Sequence, residues 1–399
     1  MRNRTNVPRF ARQSSMISGL VGLAVPHYTR YPARIATELG SRLDQGITLP
    51  FSWFADPAVF ALEQERIFGH TWQYAGVAEW VAEPGQFFTC RAGMVPVVVT
   101  RDQAGSLNAF VNICRHRATE VAQGRGRRET LQCPYHAWTY GMDGCLRAAP
   151  RSQLEPGFDR TQLGLLPVAV DTWGPLVFVN RDLDAAPLAD VLGGLPALLE
   201  GCGFSFDGLR FRERVEWELA ANWKAVVENF LECYHCPTAH PSFSKMIDVD
   251  PDAYMLSSDG WSSSQVARVR DDVQEGGGTP PYWPSGAAAG SAHFHYLWPT
   301  FTINALPGPP NAAVFMFVPL DAGRTLTITD YLFDETADDQ QIRDLMAFGD
   351  QVGSEDRDLV ESIQRAAASG GLDHGRLMLS SEHLIQHFQR LVEQALARS

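Results

Sequence analysis

Two histidines five residues apart, His235 and His240, lie just behind two carboxylates, Glu228 and Glu232. The stretch 222–241 begins as a helix: Trp223, Val227, Phe230 and Tyr234 recur at helical spacing and would share an apolar face. Glu228, Glu232 and His235, four and three apart, would line one polar stripe. On an unbroken helix, residues five apart point away from each other. Pro237 lacks an N–H and clashes with the preceding turn, so the helix is expected to end there. His240 is then expected from an irregular turn, which can bring both rings to one point. Two imidazoles and a carboxylate, with the remaining positions open, suit a non-heme Fe(II) that activates O₂. Taken alone, the pair also fits two polar residues near a helix end.

A second constellation lies about a hundred residues upstream. Residues 112–117 read Asn-Ile-Cys-Arg-His-Arg and 133–138 read Cys-Pro-Tyr-His-Ala-Trp. The pattern is Cys-x-His, sixteen residues, then Cys-x-x-His. Two thiolates and two imidazoles could bind a tetrahedral zinc or a [2Fe–2S] cluster. Cys-x-His is short for a zinc knuckle and fits no zinc-finger spacing. The pattern, including its Cys-Pro-Tyr-His-Ala-Trp box, is similar to the Rieske motif. That resemblance implies Cys114 and Cys133 on one iron and His116 and His136 on the other. Neutral imidazole in place of anionic thiolate raises the cluster's reduction potential.

The Rieske motif followed by Asn-Trp-Lys, Glu-Asn-Phe and Tyr-His-x4-His-Pro resembles the oxygenase (α) subunits of Rieske non-heme iron oxygenases, over residues 47–399. The fold implied is α+β. It joins an all-β Rieske [2Fe–2S] domain, expected at 46–166, to a catalytic domain at 167–399 with an antiparallel sheet wrapped around helices. By resemblance, His235 and His240 are two ligands of the mononuclear iron, and Asp356 is the third. Asp356 lies in Glu355-Asp356-Arg357-Asp358-Leu359-Val360-Glu361, where Glu355 and Asp358 are nearby rivals. Glu232 takes the place of the family's bridging acid, which in a homotrimer hydrogen-bonds the iron-bound His235 and the partner's His136. A carboxylate behind a metal-bound imidazole fixes its orientation and tunes its basicity.

Ring-dihydroxylating members usually carry Asp at this position, one residue further from the preceding Asn. Glu-Asn-Phe-Leu-Glu-Cys-Tyr-His-Cys instead resembles the branch with choline monooxygenase, glycine betaine and stachydrine demethylases and carnitine monooxygenase. These hydroxylate a C–H beside a quaternary nitrogen, and a carbinolamine product collapses to an amine and formaldehyde. Ring dihydroxylation of an aromatic, with the same metals, is the alternative. A Rieske electron carrier would have no use for the second motif. A quaternary ammonium has no N–H, so aromatic faces would hold it; Tyr254, Trp261, Tyr296, Trp298, Phe301, Phe315 and Phe317 are the candidates. No Gly-x-Gly-x-x-Gly segment is present, so electrons from NAD(P)H are expected through a separate flavin/iron–sulfur reductase.

The elements that must position these groups follow from the rest of the pattern. A helix is expected at 57–68, strands at 96–100 and 109–112, a hairpin at Asp143-Gly144, and more strand at 168–180. A helix at 188–199, a Gly/Pro/Ala/Ser-rich loop at 271–291, strands at 313–318 and 325–333, and helices at 338–367 and 381–397 complete the reading. Residues 1–45 look like an Arg-rich extension, expected to be a loosely ordered start to a bacterial cytoplasmic protein; an organelle transit peptide is the alternative. The chain has 399 residues and a formal net charge of -13, which argues against nucleic acid as a partner. No apolar run approaches the ~20 residues that span a bilayer. Seven cysteines, four of them near histidines, point to metal chemistry in a reducing compartment rather than a disulfide framework.

Overall fold

A computed structural model describes residues 33–270, 291–307 and 310–398. Most of the Arg-rich extension and nearly all of the loop expected at 271–291 lie outside these residues. Two seven-stranded antiparallel sheets organise the chain. The first runs in the order Gln73–Val77, Leu176–Asn180, Pro167–Trp173, Leu107–Val111, Val95–Arg101, Gln86–Ala92, Arg125–Arg127. The second runs Leu209–Leu219, Arg324–Asp334, Asn311–Asp321, Phe301–Ala305, Ser291–Leu297, Ser262–Arg268, Tyr254–Asp259. A small sheet of Thr130–Gln132, Thr139–Gly141 and Leu146–Ala148 carries the expected hairpin. Its Gly144 has φ +75°, and a Cβ there would sit 2.4 Å from the Phe110 ring, so both backbone and space require glycine.

The expected boundaries move. The break placed at 166–167 falls inside the first sheet, of which Pro167–Trp173 and Leu176–Asn180 are interior strands. Leu176–Asn180 is buried at every residue, so it needs a strand on each side. The extension ends in a helix, Ala33–Asp44. Its Leu39 and Leu43 enter one core with Trp53, Phe54, Ile67, Phe68, Trp223 and Phe388. The segment before the first sheet therefore packs with the catalytic half, because its apolar side chains match that core. The helix expected at 188–199 is two, Leu188–Leu192 and Leu195–Gly201, parted at Gly193.

A buried polar clamp holds the two sheets together. Tyr74 of the first donates its hydroxyl to Asp330 of the second at 2.5 Å, and Arg214 forks onto the same carboxylate with two 2.7 Å bonds. On the second sheet, the long helix Asp339–Ala368 lays Ile342, Leu345 and Phe348 against Ala313, Tyr331 and Phe333. Asp338 and Gln341 cap its start reciprocally. No helix among the described residues is long and apolar enough to cross a membrane.

The helix Trp223–Phe230 starts at Asn222, whose side chain accepts from the Lys224 N–H. Further along, Glu228 accepts a hydrogen bond from Gln389. Burial pushes Glu228 up to about 7, against that hydrogen bond and the nearby Lys224. An unfolded chain would ionise this group near its ordinary value of 4.5. The folded state thus holds the extra proton between these values, and stability falls as pH rises through that window. Glu228→Gln is expected to gain stability relative to the parent between pH 5 and pH 8, read as urea midpoints; equal pH slopes would remove the effect.

Candidate active site

Two loops with the same backbone carry the Cys/His motif. In one, the Ala118 N–H donates to the Cys114 carbonyl and the Cys114 N–H to Thr119. In the other, Ala137 donates to Cys133 and Cys133 to Trp138. Ala118 and Ala137 both take left-handed φ, 56° and 57°. These turns bury both sulfurs and leave both imidazoles exposed. The His116 and His136 rings lie 4.6 Å apart by centroid, and His116 stacks on Trp138 at 5.0 Å. The Tyr140 hydroxyl sits 3.3 Å from the Cys114 sulfur. Two buried thiols facing two exposed imidazoles fit a cluster with its sulfur end in the protein and its histidine end at the surface.

The His/His stretch differs from its expected form in three ways. The helix ends at Phe230, so Glu232 and His235 lie in an irregular turn rather than on a helical stripe, and Tyr234 is 62% exposed instead of sharing the apolar face. Pro237 does not end a helix; it opens a one-turn one, Cys236–Ala239, where its missing N–H costs nothing. Cys233 and Cys236 are joined by a disulfide, because the turn brings their Cα atoms to 4.9 Å, so these two thiols are not the metal-type cysteines their histidine neighbours implied. His240 is non-helical, as expected, at the junction with the helix Pro241–Met246.

The structure brings His235, His240 and Asp356 together. The two Nε2 atoms are 3.1 Å apart, and Asp356 Oδ1 lies 3.0 Å from His240 Nε2 and 3.5 Å from His235 Nε2. Both Nδ1 atoms are taken by carboxylates: His235 by Glu232, and His240 by Glu355 at 2.8 Å. With a metal bound at the centre, each Nδ1 would keep the proton and donate to its carboxylate, leaving both Nε2 lone pairs for the metal. Asn229 donates to the inward oxygen of Asp356 at 3.0 Å. Burial alone would lower the basicity of His235, but Asp356 and Glu232 push it up to about 9. Burial would raise Asp356, but hydrogen bonds from His235 and His240 hold it at about 2. These converging atoms favour a positive charge at their centre, as a 2-His-1-carboxylate metal site does.

Of the two rivals to Asp356, Asp358 is exposed and Glu355 serves His240. The Glu355 contact was missed in the sequence; only the helical offset from Asp356 could have hinted at it. Glu355→Ala is expected to cost ~10–100-fold in iron affinity while the [2Fe–2S] absorbance stays intact. Metal titration followed by plasma mass spectrometry checks this, and unaltered affinity would reduce the contact to packing.

A cavity of about 210 Å³ opens beside these groups, between the second sheet and the long helix. Tyr254, Phe315 and Phe317 line it, as expected. Trp261, Tyr296, Trp298 and Phe301 do not; they pack in the cores. Trp217, Phe230, Phe243, Phe294, Tyr331 and Phe348 supply the remaining aromatic wall.

Residues 206–398 match the family described as ring hydroxylating alpha subunit (catalytic domain), and residues 71–159 match the Rieske [2Fe-2S] domain. The choline monooxygenase of Spinacia oleracea, described as chloroplastic, is 32% identical over 356 residues, spanning 88% of this chain and 78% of that protein. This chain belongs to the Rieske non-heme iron oxygenases. The carnitine monooxygenase oxygenase subunit of Acinetobacter baumannii is likewise 32% identical, over 88% of this oxygenase and 95% of that subunit. A solved quaternary ammonium Rieske monooxygenase, described in terms of carnitine oxidation and inter-subunit electron transfer, matches with a TM-score of 0.80. It is 30% identical, and the match covers 89% of this oxygenase and 97% of that chain. The expected α+β architecture, a Rieske domain joined to a catalytic domain of antiparallel sheet and helices, is that of the family.

Proposed function

We propose that this Rieske oxygenase uses O₂ and electrons from NAD(P)H, delivered by a separate flavin/iron–sulfur reductase, to hydroxylate or oxidatively N-demethylate a small quaternary ammonium compound. The observation that carries this reading is the convergence of His235, His240 and Asp356 beside an aromatic-lined cavity. Cys114, Cys133, His116 and His136 would hold the [2Fe–2S] cluster, and His235, His240 and Asp356 the mononuclear iron. When bound, the cluster supplies single electrons and the iron activates O₂ for attack on a C–H bond. The protein's own part is orientation: Glu232 and Glu355 fix the two imidazoles, and Asn229 fixes Asp356. The aromatic wall suits a cation that offers no N–H to donate. The choline- and carnitine-oxidising relatives support the same substrate class.

Glu232 makes no hydrogen bond to His136 within the chain among the described residues. His136 is exposed beside Tyr135, which is 54% exposed; the exposed Tyr234 flanks Glu232. Two exposed tyrosines beside the two polar groups suit an interface between copies. A homotrimer in which Glu232 meets the partner's His136 is the assembly we favour. The bacterial relatives support a cytoplasmic setting, with organelle import through the Arg-rich start as the alternative.

The test is aerobic turnover with NADH and a promiscuous reductase, offered choline, glycine betaine, carnitine, stachydrine and simple aromatics. Formaldehyde, or a product heavier by one oxygen from a quaternary amine, is expected. A cis-diol from an aromatic, with the amines untouched, would install ring dihydroxylation instead.

A further inference from the structure

Among the described residues lining the cavity, Arg357 is the sole arginine or lysine. It follows Asp356 on the helix Asp339–Ala368, and its guanidinium carbon stands 5.1 Å from the centre of the Trp217 ring. Its Nε is buried without a hydrogen-bond partner, and it forms no ion pair with any described residue. Arg214 shows what this chain otherwise does with a half-buried guanidinium: both prongs are seated on Asp330. A buried donor left unmatched is costly, and a planar fork held over an indole face is preorganised for a carboxylate.

The surrounding backbone keeps this place open. Gly353, one turn before Arg357, lines the cavity, and a Cβ there would lie 3.5 Å from the Trp217 ring. At Gly349, a further turn back, a Cβ would lie 3.0 Å from the Tyr331 hydroxyl. Trp217 therefore lies against the helix at Gly353, with the Arg357 guanidinium over its ring one turn on. The cavity lining combines two unlike kinds of group: Asp356, Glu232 and aromatic rings, which attract a cation, and a guanidinium without a described ion-pair partner. The C–H bonds to be oxidised belong beside the nitrogen, so the cationic end belongs at the metal-site residues.

We infer that Arg357 anchors a substrate carboxylate, and that the substrates are zwitterionic betaines rather than quaternary ammonium alcohols. This rests on the quaternary ammonium reading above and narrows it. The fork and the ammonium-binding wall grip opposite ends of one molecule. Chain length between the two charges then decides which betaine fits.

The experiment measures binding to the oxidised, fully metal-loaded enzyme by calorimetry, and kcat/KM with the reductase. Its ligands are ω-trimethylammonio carboxylates with one to four methylenes and the alcohols of matching length. At least one carboxylate is expected to bind tighter than its alcohol by about 10–100-fold. Arg357→Gln is expected to collapse that ratio towards one, mainly through Kd and KM, and Arg357→Lys to retain part of it because the charge stays and the fork is lost. Wild-type enzyme that prefers the alcohols, or treats both equally, overturns the inference. So does selectivity for the carboxylates that survives in Arg357→Gln. Failure of every quaternary ammonium to bind or react would instead sink the substrate reading itself.

Discussion

Glu232→Ala is expected to leave both metals bound and to lower NADH-coupled turnover on the order of 100-fold. One carboxylate oxygen of Glu232 holds His235 Nδ1; the other accepts from the Tyr234 N–H and, at 3.2 Å, from the His235 N–H. Removing it frees the ring and loosens the turn. The inward atoms of His235, His240 and Asp356 stay on separate backbone supports, so iron should remain bound at saturating supply even if its affinity falls as in Glu355→Ala. What is lost is the polar connection from His235 to the surface, where the partner's His136 would meet it. Glu232→Gln keeps an acceptor of the same length and should recover part of the rate. Iron content, cluster absorbance and NADH-coupled product formation, measured on one preparation, check the claim. Normal coupling in the alanine variant would strike Glu232 from the electron path.

Lys224→Met is expected to destabilise the fold by about 3–5 kcal/mol. Lys224 and Glu63 are fully buried and paired at 2.5 Å. Glu63 also accepts from the Trp223 indole at 2.8 Å, and Lys224 donates to the Trp53 carbonyl at 3.1 Å. Methionine fills a similar volume but strands a carboxylate in a site that water does not reach. The double change Glu63→Gln/Lys224→Met removes both charges and keeps an acceptor for the indole, so it should be less destabilised than the single one. Urea denaturation of the two variants and the parent decides this. A double variant as unstable as Lys224→Met would mean that packing around the lysine stem, not the stranded charge, dominates.

The residues that converge at the centre were legible because each sits in a short local motif. Cys114 and Cys133 each begin a loop closed by an alanine four residues on, so spacing alone fixes their backbone. His235 and His240 were read correctly as needing a break, but its place was misjudged: the chain leaves the helix after Phe230, ahead of Pro237. The disulfide was illegible because Cys-x-x-Cys beside histidines has two meanings, and only the turn geometry separates them. The catalytic sheet was read in part. Leu209–Leu219 alternates, but a register shift between Phe211 and Glu213 breaks the period. Ser262–Arg268 buries Ser262, Ser263, Ser264 and Gln265, so it carries no apolar alternation at all. The cavity wall mixes residues from many strands and helices, which is why three of seven aromatic candidates lined it and the unpaired Arg357 went unremarked.

In the proposed function, cluster and mononuclear iron serve one redox path across two copies of the chain. Cys133→Ala should silence the first centre and Asp356→Ala the second, each leaving a chain without coupled turnover. The decisive measurement is coupled turnover of co-expressed mixed assemblies of the two variants, their composition fixed by native mass spectrometry. Recovered turnover in the mixture is expected, because a neighbour with an intact cluster would serve the intact iron. Mixed assemblies as inactive as either parent would contradict an inter-subunit path.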